Sequence, residues 1–335
     1  MRLVALVAGA DHVCCRYRLE AFRPWLERGG HTLELCPLPK RWWSRLLLFR
    51  RLQGAGVILQ RSLLPAWQLP LLRRHASHLI FDLDDAIFLR DSWSAKGLYH
   101  PRRCRRFAAT VRACDAVTAG NSFLGDHAGR WSGVGRVHVI PTCVDPGRYT
   151  PAGRARSGEQ LVWIGSSSTL QGLEAIAPLL DEVGRRVPGI RLKVICDRFP
   201  SFSDLPVAAC PWSEATEAAE LAAADVGISW IPDDDWSRGK CGLKVLQYMA
   251  AGLPVVANPV GVHAEMVRHG ETGFLARTPD EWVEAVRRLA RDPALRQRMG
   301  QAGRRLLERR YSVEAGAMMW LELLAQLETP LARSA

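Results

Sequence analysis

Short apolar runs bounded by turn residues alternate with stretches of helical periodicity along the whole chain. Strands buried in a parallel sheet are near-continuous apolar runs, and the helices that connect them cover both faces of the sheet. The pattern therefore predicts an α/β fold with two parallel sheets. The strands expected in the first sheet are residues 3–7, 31–36, 56–60, 78–81, 116–119 and 137–140, and those of the second are 160–164, 192–196, 226–230 and 254–257.

Helix and linker signals divide the chain between these two sets of strands. A helix is predicted over residues 16–28, with Leu19, Phe22 and Leu26 on one face, and others begin at Pro279 and span 313–327. Residues 150–160 contain Pro, two Gly and no large apolar side chain, which is typical of a linker. We predict an N-terminal domain over 1–152, a C-terminal domain over 158–310, and a C-terminal helix, 311–330, with packing back on the N-terminal domain as one option.

Composition narrows the class of protein. With 335 residues, 48% hydrophobic and 24% charged, the chain is neither disordered nor fibrous. Its nine cysteines form no CxxC pair, which indicates neither a zinc site nor a disulfide framework and favours a reducing cytoplasm. No apolar run reaches the ~18 residues of a membrane span. Residues 1–10 resemble a short signal peptide, but a buried first strand explains them better.

Positive charge is concentrated in the N-terminal half, where residues 1–150 hold 23 Lys+Arg against 11 Asp+Glu. Such a field indicates a polyanionic partner: a membrane surface, nucleic acid or a phosphorylated acceptor. Residues 40–52 combine adjacent tryptophans, leucines and five cations, which is typical of an interfacial helix on anionic lipid. The alternative is a surface helix that packs Leu46, Leu47 and Phe49 inward. A second cluster, Arg102, Arg103, Arg105 and Arg106, has no nucleic-acid-binding motif beside it, so nucleic acid is the less favoured partner.

A polar loop and a helix follow the predicted strand 226–230. The loop contains Arg238 and Lys240, the helix is expected over 242–250, and Gly252 and Pro254 precede the next strand. A loop that leads into a helix N-terminus offers N–H groups and a positive dipole end, which together suit a diphosphate. Lys240 and Lys244 are four residues apart and are expected to converge on one anion. The alternative is that both are solvated surface lysines.

Four segments in this order resemble the GT-B glycosyltransferases of family 4, the group 1 transferases. They are the donor segment 236–259, the loop Gly165-Ser166 that opens the second domain, the interdomain element 141–145, and the block 261–274. The resemblance implies two Rossmann-like domains facing a central cleft. It also implies a nucleotide-diphosphate sugar as donor, retention of anomeric configuration, and no metal or other cofactor. In open α/β sheets ligands bind beyond the carboxyl ends of the strands, which also favours the cleft.

The sequence departs from the family pattern at both donor carboxylates. The family's first Glu aligns with Gly239 and its second, which grips the ribose, with Gln247. Gln247 still donates and accepts hydrogen bonds, so we retain it as a donor-binding residue. Gly239 does not replace a carboxylate, and the triplet Asp233 to Asp235 is either its substitute or a solvated turn.

Cleavage at the anomeric carbon places negative charge on the leaving diphosphate, and groups that bind this charge as it develops lower the barrier. We assign that role to Lys240 and Lys244. Arg238 and the N–H groups of Gly165 and Ser166 are expected to assist on the donor side. The N-terminal half supplies one more donor candidate, Arg16, whose alternative is a solvated position on a helix face.

Acceptor-side candidates follow two strands of the N-terminal half. Strand 78–81 is followed by Asp82, Asp84 and Asp85, which suit acceptor binding. Asp84 and Asp85 are also candidates for base assistance. The alternative for each of the three is that it caps the next helix. Asn121 follows strand 116–119 and alternatively caps the helix that begins at Phe123.

The sequence therefore predicts a cytoplasmic glycosyltransferase, peripheral on the inner face of the membrane as an option. The acceptor is an unknown hydroxyl, with a lipid-linked or cell-envelope glycan as one option. Rival interpretations are a GT-B epimerase or phosphorylase and a catalytically impaired GT-B protein that acts as a basic membrane-associated or binding module.

Overall fold

A computed structural model describes residues 1–9, 12–151 and 159–329 of the chain. Most of the predicted linker, the two domain boundaries at 152 and 158, and the last residue of the predicted helix 311–330 lie outside the described residues. Within them, the strands form two parallel sheets of six strands each, covered by helices. The prediction of an α/β fold with two parallel sheets is confirmed.

The first sheet has the strand order β2-β1-β3-β4-β5-β6. Its strands are β1 Arg2–Val7, β2 Thr32–Pro37, β3 Gly56–Gln60, β4 His78–Leu83, β5 Ala116–Ala119 and β6 Val137–Val139. The second sheet has the order β12-β11-β10-β7-β8-β9. Its strands are β7 Gln160–Ile164, β8 Arg191–Cys196, β9 Val207–Pro211, β10 Val226–Ser229, β11 Val255–Ala257 and β12 Gly273–Leu275.

The helices of the N-terminal part are α1 Val13–Arg18, α2 Arg23–Arg28, α3 Trp42–Arg51, α4 Gln68–His75, α5 Pro101–Ala113 and α6 Ser122–Gly129. Those that follow are α7 Ser167–Ala175, α8 Ala177–Arg186, α9 Glu217–Ala222, α10 Asp235–Arg238, α11 Leu243–Ala250, α12 Val262–Met266, α13 Pro279–Arg291, α14 Pro293–Arg310 and α15 Val313–Glu328. Single 3₁₀ turns occupy Glu20–Phe22 and Pro146–Arg148. No helix among the described residues is long and apolar enough to cross a membrane.

The chain divides into two compact units. Of the described residues, unit 1 comprises those within Met1–Cys143, Asp234–Cys241 and Val313–Ala335, and unit 2 comprises those within Val144–Asp233 and Gly242–Ser312. Unit 1 thus contains α15 and also the short segment 234–241, which the sequence placed in the C-terminal domain.

Unit 1 has a hydrophobic core on each face of its sheet. Phe49 of α3, Leu72 of α4 and Phe107 of α5 belong to one core, so these three helices cover the same face. Leu26 of α2 and Trp320 of α15 belong to the other core. Unit 2 has a core in which α7, α8 and α13 pack with the interior strands.

Two differences from the predicted elements have local causes. The helix predicted over 16–28 is broken, because Leu19 leaves helical geometry (φ −131°, ψ −60°) and α2 restarts with Pro24 in its first turn. Leu19, Phe22 and Leu26 are nevertheless buried together. The edge strands β9 and β12 were not predicted, because β12 has only three residues and β9 is half exposed. Such strands carry little of the apolar signal that marks an interior strand.

Candidate functional site

The strand order of unit 2 reverses between β7 and β10. The chain runs from β7 outward to β8 and β9, and then returns to β10 and continues to β11 and β12 on the other side. Ligands of open α/β sheets bind outside the carboxyl ends of the strands at such a switch point. The loop Gly165–Thr169 leaves β7 at this point, and α11 with Lys244 in its first turn follows the loop after β10.

Lys244 lies against residues of β7 and the loop that follows it. Its Nζ is 4.8 Å from the centre of the Trp163 ring and 3.4 Å from Thr169 Oγ1. The hydroxyl groups of Ser166 and Ser168 are exposed and 2.8 Å apart. One cation and several hydroxyl donors therefore gather at the switch point, a combination that suits a phosphate.

Gly165 is required by the Trp163 ring. A Cβ at this position would lie 2.4 Å from that ring and 2.7 Å from Thr169 Oγ1. The absence of a side chain therefore allows the indole to lie beneath Lys244, so Gly165 shapes the site through its backbone.

The expectation that the N–H groups of Gly165 and Ser166 bind the leaving group is corrected by the structure. The N–H of Gly165 donates to Ile195 O at 3.0 Å, and that of Ser166 donates to Thr169 Oγ1 at 3.2 Å. Both donors are thus used within unit 2. The next N–H, of Ser167, is bound at 2.6 Å by Asp197, whose pKa is lowered to about 2 by hydrogen bonds from the Ser167 side chain and backbone.

Gln247, the predicted ribose contact, is buried on α11 in a polar network. Its Nε2 donates to Glu217 Oε1 at 2.8 Å, and the Tyr149 hydroxyl donates to the same oxygen at 2.7 Å. Trp212 Nε1 donates to the other Glu217 oxygen at 2.8 Å. A carboxylate therefore lies beside the position where the family has its second Glu, but α9 supplies it instead of α11.

His263 of α12 is buried behind Lys244. Its Nε2 lies 3.0 Å from Ser229 Oγ and its Nδ1 3.1 Å from Asn258 O. Burial lowers the pKa of His263 to about 4, and the charge of Lys244 acts in the same direction. The imidazole is therefore neutral at pH 7 and adds no charge to the site.

In unit 1, Asp82 is a core residue, and its assignment as an acceptor contact is corrected by its burial. Asp82 and Arg18 are both fully buried and form an ion pair at 2.5 Å. Thr118 Oγ1 donates to the same carboxylate at 2.7 Å and Gln60 Nε2 at 3.4 Å. A carboxylate that is enclosed by three donor side chains and has no exposed surface does not contact a substrate.

Asp84, Asp85, Arg61 and Lys240 form a second, partly exposed cluster in unit 1. Asp85 Oδ2 accepts from Arg61 Nη2 at 2.7 Å and from Lys240 Nζ at 3.1 Å. Burial raises the pKa of Asp85, whereas Lys240 and Arg61 act to lower it. Asp84 Oδ1 lies 3.3 Å from Arg61 Nε but accepts no hydrogen bond from any described residue.

Arg61 is the only non-glycine residue with positive φ (49°) among those described. Such a conformation costs about 1–3 kcal/mol, and strained residues of this kind cluster at active sites and ligand-binding segments. Arg61 follows β3, which adjoins β1 where the strand order of the first sheet reverses. A lone Arg after a strand belongs to no motif, so the sequence does not mark Arg61 as a site residue.

The lysines 240 and 244 do not form a helical pair, because α11 begins only at Leu243 and Lys240 lies before it. Lys240 belongs to unit 1, where its Nζ pairs with Asp85 and lies 4.4 Å from the centre of the Trp236 ring. Lys244 belongs to unit 2. That Lys240 acts on the donor stays a prediction.

Gly239 and Asn121 fix the segment 234–241 in unit 1. A Cβ at Gly239 would lie 2.6 Å from Ala86 Cβ and 2.9 Å from Ala86 N, so no Glu fits here. Asn121 Nδ2 donates to the carbonyls of Arg238 and Lys240, and its Oδ1 caps α6 at Leu124 N. The assignment of Asn121 to the acceptor is corrected, because this buried side chain is already hydrogen-bonded at both ends.

The candidates Arg238, Asp234 and Arg16 lie in unit 1. Arg238 pairs with Asp235 at 3.3 Å within α10, and Asp234 caps that helix by accepting from Ser237 N. Asp234 is therefore a structural cap. Arg16 is half-buried on α1, and its predicted donor contact stays a prediction. Among the described residues, no group of three or more His, Cys, Asp and Glu has the arrangement of a metal site.

Comparisons with known proteins bear on this geometry. Residues 236–306 match the family model described as glycosyl transferases group 1. D-inositol 3-phosphate glycosyltransferase of Nocardia farcinica is 28% identical over 197 residues, which are 49% of this chain and 42% of the relative. The chain spans about half the length of the curated relatives it matches.

Two solved structures have a fold similar to that of this chain over nearly its whole length. Sucrose-phosphate synthase from Thermosynechococcus elongatus superposes with a TM-score of 0.77 at 17% identity, covering 98% of this chain and 99% of that protein. Anabaena HepE in complex with UDP and glucose gives 0.71 at 14% identity, covering 97% and 100%. The predicted GT-B fold is confirmed, and the chain is related to the group 1 glycosyl transferases. Membership of family 4 stays a prediction.

Proposed function

From this relationship we propose that the protein is a retaining glycosyltransferase that moves a sugar from a nucleotide-diphosphate sugar to a hydroxyl acceptor. The observation that carries the proposal is the gathering of Lys244, Thr169 and the Ser166 and Ser168 hydroxyls at the switch point of unit 2. The UDP and glucose bound by HepE support a donor of this kind. The donor is the only small molecule that the proposal requires, with no further cofactor.

Lys244 stabilises the diphosphate that leaves the anomeric carbon. The indole of Trp163 holds its ammonium group by a cation–π contact, so the charge is positioned before the donor binds. A cation that is already oriented stabilises developing negative charge without reorganisation, and loss of one such group typically lowers kcat by about 10²–10³.

The cluster of Asp84, Asp85 and Arg61 binds the hydroxyl acceptor in unit 1. Asp84 Oδ1 is buried beside Arg61 Nε, with which it forms an ion pair, but it accepts no hydrogen bond from any described residue, and the hydroxyl of a sugar or lipid-linked acceptor is a donor that would supply one. Arg61 pairs with both carboxylates, and Lys240 pairs with Asp85 alone.

The acceptor that suits unit 1 best is lipid-linked, and the protein acts as a peripheral enzyme on the inner face of a membrane. This part of the proposal depends on α3, where Trp42, Trp43 and Leu47 are exposed while Phe49 is buried and Leu46 and Leu48 pack on the core. Of the alternative in which Leu46, Leu47 and Phe49 pack inward, Leu46 and Phe49 do so, whereas Leu47 is 61% exposed.

A second candidate function is a binding protein that has the fold but transfers no sugar. It is favoured by Gly239 and Gln247, which stand where the related family has carboxylates, and by the packing of Gly239 on Ala86. A protein of this kind would bind a nucleotide without turnover.

The test is a thermal-shift screen of nucleoside diphosphates and their sugars, followed by transfer assays with the best donor. A donor at about a hundred times its Kd adds about 2.7 kcal/mol of stability. We expect Lys244→Ala to lose most of this shift and Lys96→Ala, an exposed lysine of unit 1, to keep it. No shift with any nucleotide would refute the proposed donor, and a shift without transfer to any tested acceptor would favour the binding protein.

A further inference from the structure

The helices on one face of unit 1 carry cations without carboxylates. The helices α3, α4 and α5 contain ten arginines and no Asp or Glu. They cover the same face of the sheet, since Phe49, Leu72 and Phe107 share one core. This face, which we call the arginine layer, accounts for much of the excess positive charge in residues 1–150.

A pocket of about 550 Å³ opens on the arginine layer at the N-terminal ends of α3 and α4. Among the residues that the structure describes, nine line it and none of them is acidic. Its cations are Lys40, Arg41, Arg45 and Arg106. Four positive charges around one concave surface repel one another unless an anion lies between them.

Neither Arg45 nor Arg106 has a carboxylate partner among the described residues. Arg45 Nε donates to Pro39 O at 2.6 Å and its Nη1 to Gln68 Oε1 at 3.4 Å, so its partners are neutral. Burial lowers the pKa of Arg45, and the charge of Arg106 lowers it further. The side chain of Arg106 makes neither a hydrogen bond nor an ion pair with any described residue.

Aromatic rings stand at the edge of the same pocket. Trp42 packs edge-on against Trp43 (5.7 Å between ring centres) and against Trp67 (5.8 Å). All three rings are about half exposed, and Leu47 and Leu71 are exposed on the same two helices. Tryptophan is the side chain that partitions best to the level of lipid headgroups, whereas cations contact the phosphates.

We propose that this pocket is a headgroup site, in which Arg45, Arg106, Lys40 and Arg41 bind the phosphate of an anionic phospholipid. The rings of Trp42, Trp43 and Trp67 then lie in the interface of the bilayer. Charge complementarity identifies the occupant, because four cations without a carboxylate match a phosphate and the exposed rings match a bilayer. The inference rests on the membrane contact proposed above and not on sugar transfer.

The test is sedimentation of the full chain with vesicles of phosphatidylcholine, with and without phosphatidylglycerol, at low salt. The pocket variant is Arg106→Gln, which removes no described contact of the side chain. The matched control is Arg105→Gln, an exposed arginine of the same helix that lies outside the pocket. A cation near an anionic surface contributes about fivefold to partitioning, and we expect Arg106→Gln to lose about fivefold in binding and the control to lose clearly less.

Each outcome has a distinct meaning. Absence of binding to phosphatidylglycerol vesicles by the unaltered chain overturns the membrane contact and the headgroup site together, while donor-dependent stabilisation remains a separate measurement. Equal loss in Arg106→Gln and Arg105→Gln overturns the headgroup site alone and leaves diffuse attraction. If inorganic phosphate raises the thermal stability of the chain while the chain does not sediment with vesicles, the occupant of the pocket is a soluble phosphate. That result would overturn the proposal of a lipid headgroup.

Discussion

Replacement of Asp82 by Asn is expected to destabilise unit 1 while leaving the chemistry of sugar transfer untouched. The carboxylate is fully buried and accepts hydrogen bonds from Arg18, Thr118 and Gln60. Asn keeps the shape but removes the charge, so the Arg18 guanidinium is left buried without a counter-ion. Breaking a buried ion pair from one side costs about 3–5 kcal/mol. This is a large part of the about 5–15 kcal/mol by which a typical domain is stable.

A matched control exists in the same unit. Glu34 pairs with Arg2 at 3.2 Å, but both side chains are more than half exposed. Exposed pairs contribute about 0–1 kcal/mol, so Glu34→Gln should be nearly neutral although it removes the same charge. The difference between the two variants therefore measures burial and not net charge.

The assay is urea unfolding followed by circular dichroism, with hydrogen exchange to assign the loss to the strands β3 to β5. Transfer is measured per folded molecule at low temperature. If Asp82→Asn unfolds at the same urea concentration as Glu34→Gln, the argument from burial is refuted. If Asp82→Asn keeps its stability but loses transfer, Asp82 is an acceptor residue after all.

Three further predictions concern unit 2. In Gly165→Ala the new Cβ displaces the Trp163 ring, so thermal stabilisation by a nucleotide sugar should be lost. The control Gly172→Ala should retain this stabilisation, because the atom nearest to a Cβ there is 3.5 Å away. In Gln247→Glu a second carboxylate lies beside Glu217, so the variant should unfold at a lower urea concentration and bind the donor no more tightly. Gln301→Glu, at an exposed position, should keep its stability. Tighter donor binding by Gln247→Glu would contradict the network. The pKa of His263 is 6.5 in the unfolded chain and about 4 in the folded chain, so between these pH values only the unfolded chain is protonated. The free energy of unfolding should therefore decrease as the pH falls through this window, by up to about 1.4 kcal/mol per pH unit. His263→Gln should flatten that slope, and an unchanged slope would refute the assignment.

The sequence determined the interior of the fold. Strands β3, β5 and β7 have the predicted bounds, because each is an apolar run that is buried on both faces and ends at turn residues. The start of α13 was also predictable from the sequence, because Thr278 and Glu281 form a capping box within four residues. These features depend on neighbours in the chain, so periodicity and capping residues are sufficient to predict them.

Tertiary structure alone decided which polar residues are available for chemistry. Asp82 is neutralised by Arg18, 64 residues away, and Gln247 is held by Glu217, 30 residues away. Gly239 has no room for a carboxylate because Ala86 packs against it. A polar residue that directly follows a strand is predicted to lie at the edge of the sheet. The sequence does not predict which residue forms hydrogen bonds with its side chain. That partner comes from elsewhere in the chain, and in a close-packed interior it determines whether a side chain binds a substrate or only supports the fold.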